Sequence, residues 1–323
     1  MKIKFKLGLI AMASLLGAAN GALSQDFPNK PLKLYVGYTP GSSPDILGRL
    51  IGSQLTKILG QPFLIENKPG AGATTAAAFV AGLPADGYNL VASDTGQIVI
   101  ATQVLKVPFH PLKDFTPVGL TATTPVFLLT SPGTGMKTVQ DVLREAKAHP
   151  GKLNYGSNGR GAIIYFAFEA FKYAAGLDIT HIAYKGNPQV IQATLAGEVQ
   201  LMIGSLSTSG ALIREGKLNI LGVVSKLRPT GYPNVPMLSD LVKGYDGYPV
   251  DNGILAPAGL TPAVLNKLSG ALKIALETPE TKNRLEELGF VVTWSTPEAY
   301  SASLQQEYKK YEREIKRLDV KAE

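Results

Sequence analysis

The chain contains no cysteine and only three histidines among its 323 residues. The absence of cysteine excludes disulfide bonds, a cysteine-ligated metal site, a cysteine nucleophile and a lipid-modified N-terminal cysteine. His110, His149 and His181 do not have the spacing of a metal site, and no H-E-x-x-H, G-x-S-x-G or phosphate-loop motif occurs. We therefore predict no catalytic residue, no metal site and no cofactor.

Positive charge is also scarcer than the formal net charge of +7 suggests. Lys2, Lys4 and Lys6 precede an apolar run at 7–19, which is the pattern of a secretory signal peptide. This run is shorter than the ~20 apolar residues of a membrane-spanning helix, the alternative interpretation. Without these three lysines, 29 basic residues face 25 acidic ones, a net charge of +4.

Small residues at Ala22 and Ser24 predict cleavage before Gln25, so that residues 1–24 are removed on export. The remaining basic residues are scattered along the chain, and in the last helical segment they alternate with glutamates. A nucleic-acid-binding surface would concentrate them and interleave them with aromatic residues. The sequence therefore predicts no nucleic-acid partner.

Short β-rich runs alternate with segments of helical periodicity along the chain. Strands are predicted at 32–36, 63–67, 88–93, 126–130, 153–156, 179–184, 199–203, 220–224, 253–256 and 290–294. Helices are predicted at 44–59, 74–81, 138–148, 162–175, 188–196, 262–276, 279–288 and 297–318. Strands separated by helices predict an α/β fold with parallel sheets covered on both faces, and the length favours two lobes.

Three loops between a strand and a helix share an unusual chemistry. They are YTPGSS at 38–43, YGSNGRG at 155–161 and YKGN at 184–187. Each combines glycine with hydroxyl or amide residues where a helix begins, and the N–H groups and dipole of a helix N-terminus attract anions. Ordinary capping is the alternative for any single loop. Three such loops, two of them adjoining Arg160 or Lys185, favour a carboxylate ligand.

Motifs along the whole mature chain resemble one known family. They are FPNKP at 27–31, TPGSSPD at 39–45, ENKPGAG at 66–72, ADGY at 85–88, LKDF at 112–115, GKLNYGS at 151–157, YKG at 184–186 and LAPAG at 255–259 followed by Thr261 and Pro262. The chain resembles a Bug-type (Bordetella uptake gene) periplasmic solute receptor of the tripartite tricarboxylate transporter system.

The resemblance implies an α/β, two-lobed periplasmic-binding-protein type II fold, each lobe a mixed or mostly parallel sheet flanked by helices. Lobe 1 is expected at 25–126 plus 249–323, and lobe 2 at 127–248. A periplasmic monomer would capture a small carboxylate between the lobes and deliver it to a membrane permease. A sensory receptor that presents the ligand to a signalling partner, and an exported hydrolase or lyase on this fold, are the alternatives.

The resemblance also assigns ligand-binding residues. They are Tyr38, Thr39, Gly41, Ser42, Ser43, Thr95, Gly96, Ser157, Asn158, Gly159, Arg160, Ile163, Tyr184, Lys185, Gly186 and Ser205. Where relatives carry polar residues, this chain has an apolar run at 162–165 and an uncharged segment at 203–207. Citrate or aspartate would leave a hydroxyl or ammonium unpaired there, at a cost of ~1–3 kcal/mol. We therefore expect an aromatic dicarboxylate such as terephthalate, or next an aliphatic diacid such as adipate. Core packing of Ile163, Ile164 and Phe166 is the alternative explanation of that run.

Overall fold

The computed structural model describes residues 27–229 and 231–320. The predicted signal peptide and its cleavage site lie outside the described residues. Within these residues the strands form a six-stranded and a five-stranded sheet, both mixed and both flanked by helices, which confirms the predicted fold class. None of the described helices has the length and apolar character needed to span a bilayer.

The first sheet combines strands from both ends of the chain. Its strands are β1 (Leu32–Val36), β2 (Phe63–Asn67), β3 (Asn89–Asp94), β4 (Phe115–Thr124), β10 (Val250–Pro257) and β11 (Val291–Val292). They lie in the order β11-β4-β10-β3-β1-β2. β1 pairs in parallel with β2 and β3, as the strand–helix alternation predicts, but β10 runs antiparallel to both β3 and β4. The carboxyl ends of β1 and β3 therefore lie at the same edge.

The second sheet is built from the middle of the chain. Its strands are β5 (Val126–Thr130), β6 (Asn154–Ser157), β7 (Thr180–Ala183), β8 (Leu201–Ser205) and β9 (Asn219–Val223). They lie in the order β7-β6-β8-β5-β9. β6 is parallel to β7 and β8, whereas β5 is antiparallel to β8 and β9. The loops that follow β6, β7 and β8 consequently share one edge of this sheet.

Helices cover both sheets. They are α1 (Ser43–Leu59), α2 (Thr74–Ala81), α3 (Ala101–Val104), α4 (Val139–Ala148), α5 (Ile163–Ala175), α6 (Asn187–Ala196), α7 (Leu206–Arg214), α8 (Leu238–Leu241), α9 (Pro262–Glu277), α10 (Pro279–Glu287) and α11 (Pro297–Arg317). A π-helical turn, Thr95–Ile100, connects β3 to α3. Helix α1 begins at Ser43 with Ser42 as its N-cap, one residue before the predicted cap.

Helix α11 contacts the layers of both sheets. Near its N-terminus, the Tyr300 hydroxyl lies 2.8 Å from Ser93 Oγ on β3. Further along, the Tyr311 ring packs edge-on against Phe166 of α5, with centroids 5.2 Å apart. Each strand belongs to one of the two sheets, but this helix contacts the layers of both. The assignment of 249–323 to the first lobe therefore stays a prediction.

The sequence does not predict β4, α7 or the four-residue helices α3 and α8, and the first two have identifiable reasons. β4, the longest strand, contains Pro117 and Gly119, both typical of loops. Pro117 is accommodated where the pairing with β10 shifts register between Ile254 and Leu255. α7 is rich in serine and glycine, which have low helix propensity, so its helical form depends on tertiary packing.

Gly253 on β10 carries a testable packing constraint. A Cβ built there would lie 2.5 Å from three atoms of the Tyr300 ring, which is 3% exposed and fixed by its contact with Ser93. We expect Gly253→Ala to lower the free energy of unfolding by about 1–3 kcal/mol, because the buried ring must move. Urea denaturation of the ligand-free chain measures this change.

Gly270→Ala is the matched control. Gly270 lies in α9 with no neighbouring atom within 4 Å of the added Cβ. Alanine should stabilise this exposed helical position by about 0.5–1 kcal/mol. A Gly253→Ala variant that unfolds like the wild type would show that Tyr300 does not constrain β10.

Candidate ligand-binding site

A cavity of about 50 Å³ lies between the two sheets. A cavity needs about 10–15 Å³ to hold one water, so this space has room for more than a single water. Its lining comes from both sides of the molecule: Tyr38, Ser42, Ser43, Pro44, Asp94, Thr124, Val126, Asn158, Ala162, Ile163, Ile164, Asn187, Gly204, Ser205 and Val250.

The N-termini of α1, α5, α6 and α7 meet at this cavity. Their N-cap residues are Ser42, Ala162, Gly186 and Ser205, and none of these donates or accepts a side-chain capping hydrogen bond. Thr138, Thr261 and Thr296 cap helices α4, α9 and α11 away from the cavity, whereas α2, α3, α8 and α10 lack a side-chain cap without beginning at the cavity. The uncapped first turns of α1, α5, α6 and α7 leave backbone N–H donors and positive helix ends directed toward one place, which suits an anion.

Buried polar atoms without a hydrogen-bond partner cluster around the cavity. Ser42 Oγ, Asp94 Oδ2, Asn158 Oδ1 and Asn187 Oδ1 all belong to lining residues. An unsatisfied buried polar atom is rare and costs about 1–3 kcal/mol. Four around one cavity are hydrogen-bonding groups available to a bound molecule.

The remaining wall is apolar. Val126 and Val250 contribute from the strands, and Ile163 and Ile164 contribute from the first turn of α5. Ile163 and Ile164 are 4% and 8% exposed, so they pack into the core and also face the cavity. For the apolar run at 162–165, core packing and a place in the cavity wall are therefore compatible.

The two walls of the cavity touch each other. Ser207 Oγ on α7 donates a hydrogen bond of 3.1 Å to Ser43 Oγ on α1. A Cβ built on Gly72 would lie 3.2 Å from Gly161 Cα, across the same boundary. The structure thus has a closed cleft.

The first loop is held in place by Asp45. Its carboxylate accepts hydrogen bonds from Gly41 N (2.9 Å), Arg49 Nε (3.1 Å) and Asn67 Nδ2 (2.8 Å). Burial alone would raise the pKa of Asp45, but these hydrogen bonds and the Arg49 charge lower it below its usual value. The ionised side chain therefore fixes the turn that precedes α1.

The second loop rests on His181 of β7. Its Nε2 lies 2.7 Å from Ser157 Oγ, which in turn accepts the Gly159 N–H at 3.1 Å. The imidazole also packs against Tyr155 and Tyr165, with ring centroids 4.9 and 4.7 Å away. Burial lowers the pKa of His181 to about 4. This histidine supports the loop and does not line the cavity.

The predicted site residues fall into three groups. Those that line the cavity are Tyr38, Ser42, Ser43, Asn158, Ile163 and Ser205. Those beside it are Thr39, Tyr184 and Lys185 in an adjoining groove, Gly186 against Thr39, Gly96 against the backbone of Ile163, and the buried Thr95. Gly41, Ser157, Gly159 and Arg160 belong to the supporting loops, with Gly41 and Arg160 exposed.

Sequence reasoning missed several lining residues. Asp94, Asn187 and Thr124 are polar, and Thr124, Val126 and Val250 come from the strands that connect the sheets. Asn187 lies in the predicted loop at 184–187, so the sequence contained a signal that it lies near the site. Asp94 directly follows the strand predicted at 88–93 and acts as an ordinary cap, since its Oδ1 accepts the Gln97 N–H at 3.0 Å. Among the described residues, no group of three potential metal ligands is assembled.

The family model for the tripartite tricarboxylate transporter family receptor matches residues 47–320. The chain belongs to this family. It is 32% identical over 321 residues to a UPF0065 protein of Cupriavidus necator, a match that covers 98% of this chain and 96% of the relative. The resemblance drawn from the motifs is confirmed, and the family is one of solute-binding receptors.

Solved structures of similar proteins have the same fold. An R. palustris protein with adipate is 27% identical, with a TM-score of 0.88, and the match covers 92% of this chain and 100% of that one. MatC from Rhodopseudomonas palustris with bound malate is 28% identical, with a TM-score of 0.83 and coverage of 90% and 100%. Both relatives hold small carboxylates.

The support that His181 gives the second loop predicts a pH effect on stability. An unfolded histidine binds a proton below about pH 6.5, whereas folded His181 stays neutral until about pH 4. The unfolded state therefore binds more protons in this window, and the free energy of unfolding falls on acidification by about 1–3 kcal/mol. His181→Gln should flatten this decline, as measured by urea denaturation between pH 7 and pH 4.

The exposed His149→Gln, at the end of α4, is the control and should leave the pH profile unchanged. A profile of His181→Gln that coincides with the wild type would show that His181 ionises normally in the folded chain.

Proposed function

We propose that this chain captures a small carboxylate in the closed cleft and delivers it to a permease of the tripartite tricarboxylate transporter. The observation that carries the proposal is the convergence of four uncapped helix N-termini on one cavity. Such termini concentrate N–H donors and positive dipole ends, and a carboxylate accepts from several donors at once. The adipate and malate held by similar proteins agree with this chemistry.

The apolar wall bears on the identity of the ligand. Val126, Ile163, Ile164 and Val250 offer no hydrogen bond to a polar body. A ligand with an apolar body loses less solvation there than one with hydroxyl groups along its length. Terephthalate is our aromatic candidate, and adipate is the aliphatic one. Citrate fits less well because its central hydroxyl and carboxylate would meet this wall.

The cellular context of the proposal follows from the family. The receptor would act in the periplasm as a monomer, after removal of residues 1–24 and cleavage before Gln25. The permease would be its membrane partner. The chemistry assigned to the cleft is binding, without turnover of the ligand.

Thermal denaturation of the purified mature chain against a panel of carboxylates tests the proposal. At 100 times its Kd, a bound carboxylate adds about 2.7 kcal/mol to the free energy of unfolding. We expect terephthalate or adipate to raise the melting temperature, and citrate and aspartate to have little effect.

Stabilisation by citrate or aspartate alone would contradict the role of the apolar wall. Stabilisation by none of the carboxylates would contradict carboxylate binding itself. Conversion of a stabilising ligand, followed by NMR, would contradict a purely binding role.

Closure of the cleft can be tested at Gly186. This residue has an extended backbone that any amino acid adopts, but a Cβ there would overlap Thr39 Oγ1 on the opposite wall. We expect Gly186→Ala to disfavour closure by about 1–3 kcal/mol and so to weaken ligand binding roughly tenfold or more. Stability without ligand should change little, because the overlap arises only when the walls meet. Calorimetric titration with a carboxylate that stabilises the wild type measures the effect.

Gly133→Ala is the control, since nothing lies within 4 Å of its added Cβ and it is far from the cleft. Wild-type affinity in Gly186→Ala would indicate that the ligand is held without the contact between Thr39 and Gly186.

A further inference from the structure

Asp94 places a carboxylate inside a cavity that otherwise suits anions. The residue ends β3, is 2% exposed and lines the cavity. Its two oxygens have different surroundings. Oδ1 accepts the Gln97 N–H at 3.0 Å and caps the turn that follows, whereas Oδ2 is buried without a hydrogen-bond partner. Capping therefore accounts for one oxygen of Asp94 and leaves the other available.

No cation in the described chain compensates this carboxylate. The groups that act on it are the Tyr38 phenol and the N–H groups of Gln97 and Gly96. Asp94 and Asp251 also both act on the buried Tyr300, so the nearest titratable groups are acids and phenols. Burial raises the pKa of Asp94 against the lowering effect of its hydrogen bonds. The Tyr38 phenol is thus a hydrogen-bond donor beside Asp94, but no positive charge neutralises the carboxylate, and Oδ2 stays open to a further donor from the molecule that fills the cavity.

A second carboxylate beside Asp94 would be unfavourable. Two like charges at hydrogen-bond distance in a buried site repel each other unless one binds a proton. A hydroxyl, amide or amine has a hydrogen to donate to Oδ2 and satisfies the atom that capping leaves unpaired. The four helix N-termini supply donors for the carboxylate of the ligand elsewhere in the same cavity.

Resting on the proposed function, we propose that Asp94 determines specificity by accepting a hydrogen bond from a donor group of the ligand, remote from its carboxylate. The cleft then selects a carboxylate that carries a hydroxyl, amide or amine at its far end. This narrows the proposed class, because terephthalate and adipate in their fully ionised forms lack that donor. The apolar wall still favours an apolar body between the two ends.

Two matched ligand pairs test the inference on the mature chain by isothermal titration calorimetry. The aromatic pair is 4-hydroxybenzoate and terephthalate, and the aliphatic pair is 6-hydroxyhexanoate and adipate. Within whichever pair binds, we expect the hydroxy acid to bind about tenfold or more tightly than the diacid. A diacid that binds as tightly as its hydroxy partner overturns the inference.

The variant Asp94→Asn tests the negative charge of Asp94 separately from its capping role. Asparagine retains an oxygen that caps the Gln97 N–H, and its amide donates to a second carboxylate. The preference for the hydroxy acid should fall by about tenfold or more in this variant. Asp94→Ser, which also retains a capping oxygen, provides the same comparison should the asparagine variant fail to fold. Asp251→Asn, the control on β10, removes a nearby charge outside the cavity lining and should leave the preference unchanged.

The outcomes distinguish a failure of this inference from a failure of the proposed function. An equal loss of affinity for both members of a pair in Asp94→Asn assigns the residue a structural role and overturns the inference, while carboxylate binding stands. Failure of every carboxylate in the thermal panel and of both pairs overturns the proposed function and this inference together.

Discussion

Backbone N–H groups that their own helices cannot satisfy are the constraint on which this site depends. The first turn of every helix has such donors, and α4, α9 and α11 satisfy part of theirs with a threonine cap. The helices α1, α5, α6 and α7 do not, and all four begin at the cleft. In the proposed function, the ligand would be the partner of the donors at these four N-termini.

The sheet topology makes this convergence possible. In each sheet the parallel strands direct their carboxyl ends, and the loops that follow, to one edge. The antiparallel strands β10 and β5 return the chain between the sheets and supply Val250 and Val126 to the cavity. Polar loops and apolar strands therefore meet at the same cavity, which gives the cleft both its helix N-termini and its apolar wall.

The sequence specified much of this, because most of the signals are local. The strand Leu32–Val36 and the helix Thr74–Ala81 lie where the hydrophobic periodicity and the flanking turn-forming residues predict them. Ser42, Asn158 and Ile163 were predicted from helix entrances and motifs, and they line the cavity. β4 was missed because Pro117 and Gly119 mimic a loop and are tolerated only through a register shift against β10. Such a shift depends on a partner strand more than a hundred residues away.

Asp94 shows why part of a site lies beyond sequence reasoning. Nothing in the local sequence marks it as a cavity residue, and its Oδ1 has the ordinary role of capping the next turn by accepting the Gln97 N–H. The role of Oδ2 depends on which side chains surround it after folding, and Asn158 and Asn187 arrive from the other sheet with unpartnered oxygens of their own. In the proposed role of Asp94, donors from helix N-termini and an acceptor on β3 would distinguish the two ends of the ligand. An asymmetric ligand satisfies both, whereas a symmetric dianion satisfies the helices and leaves Asp94 facing a like charge. If Asp94 has the proposed role, the arrangement of donors and acceptor that limits the chemistry of the ligand would also set its orientation.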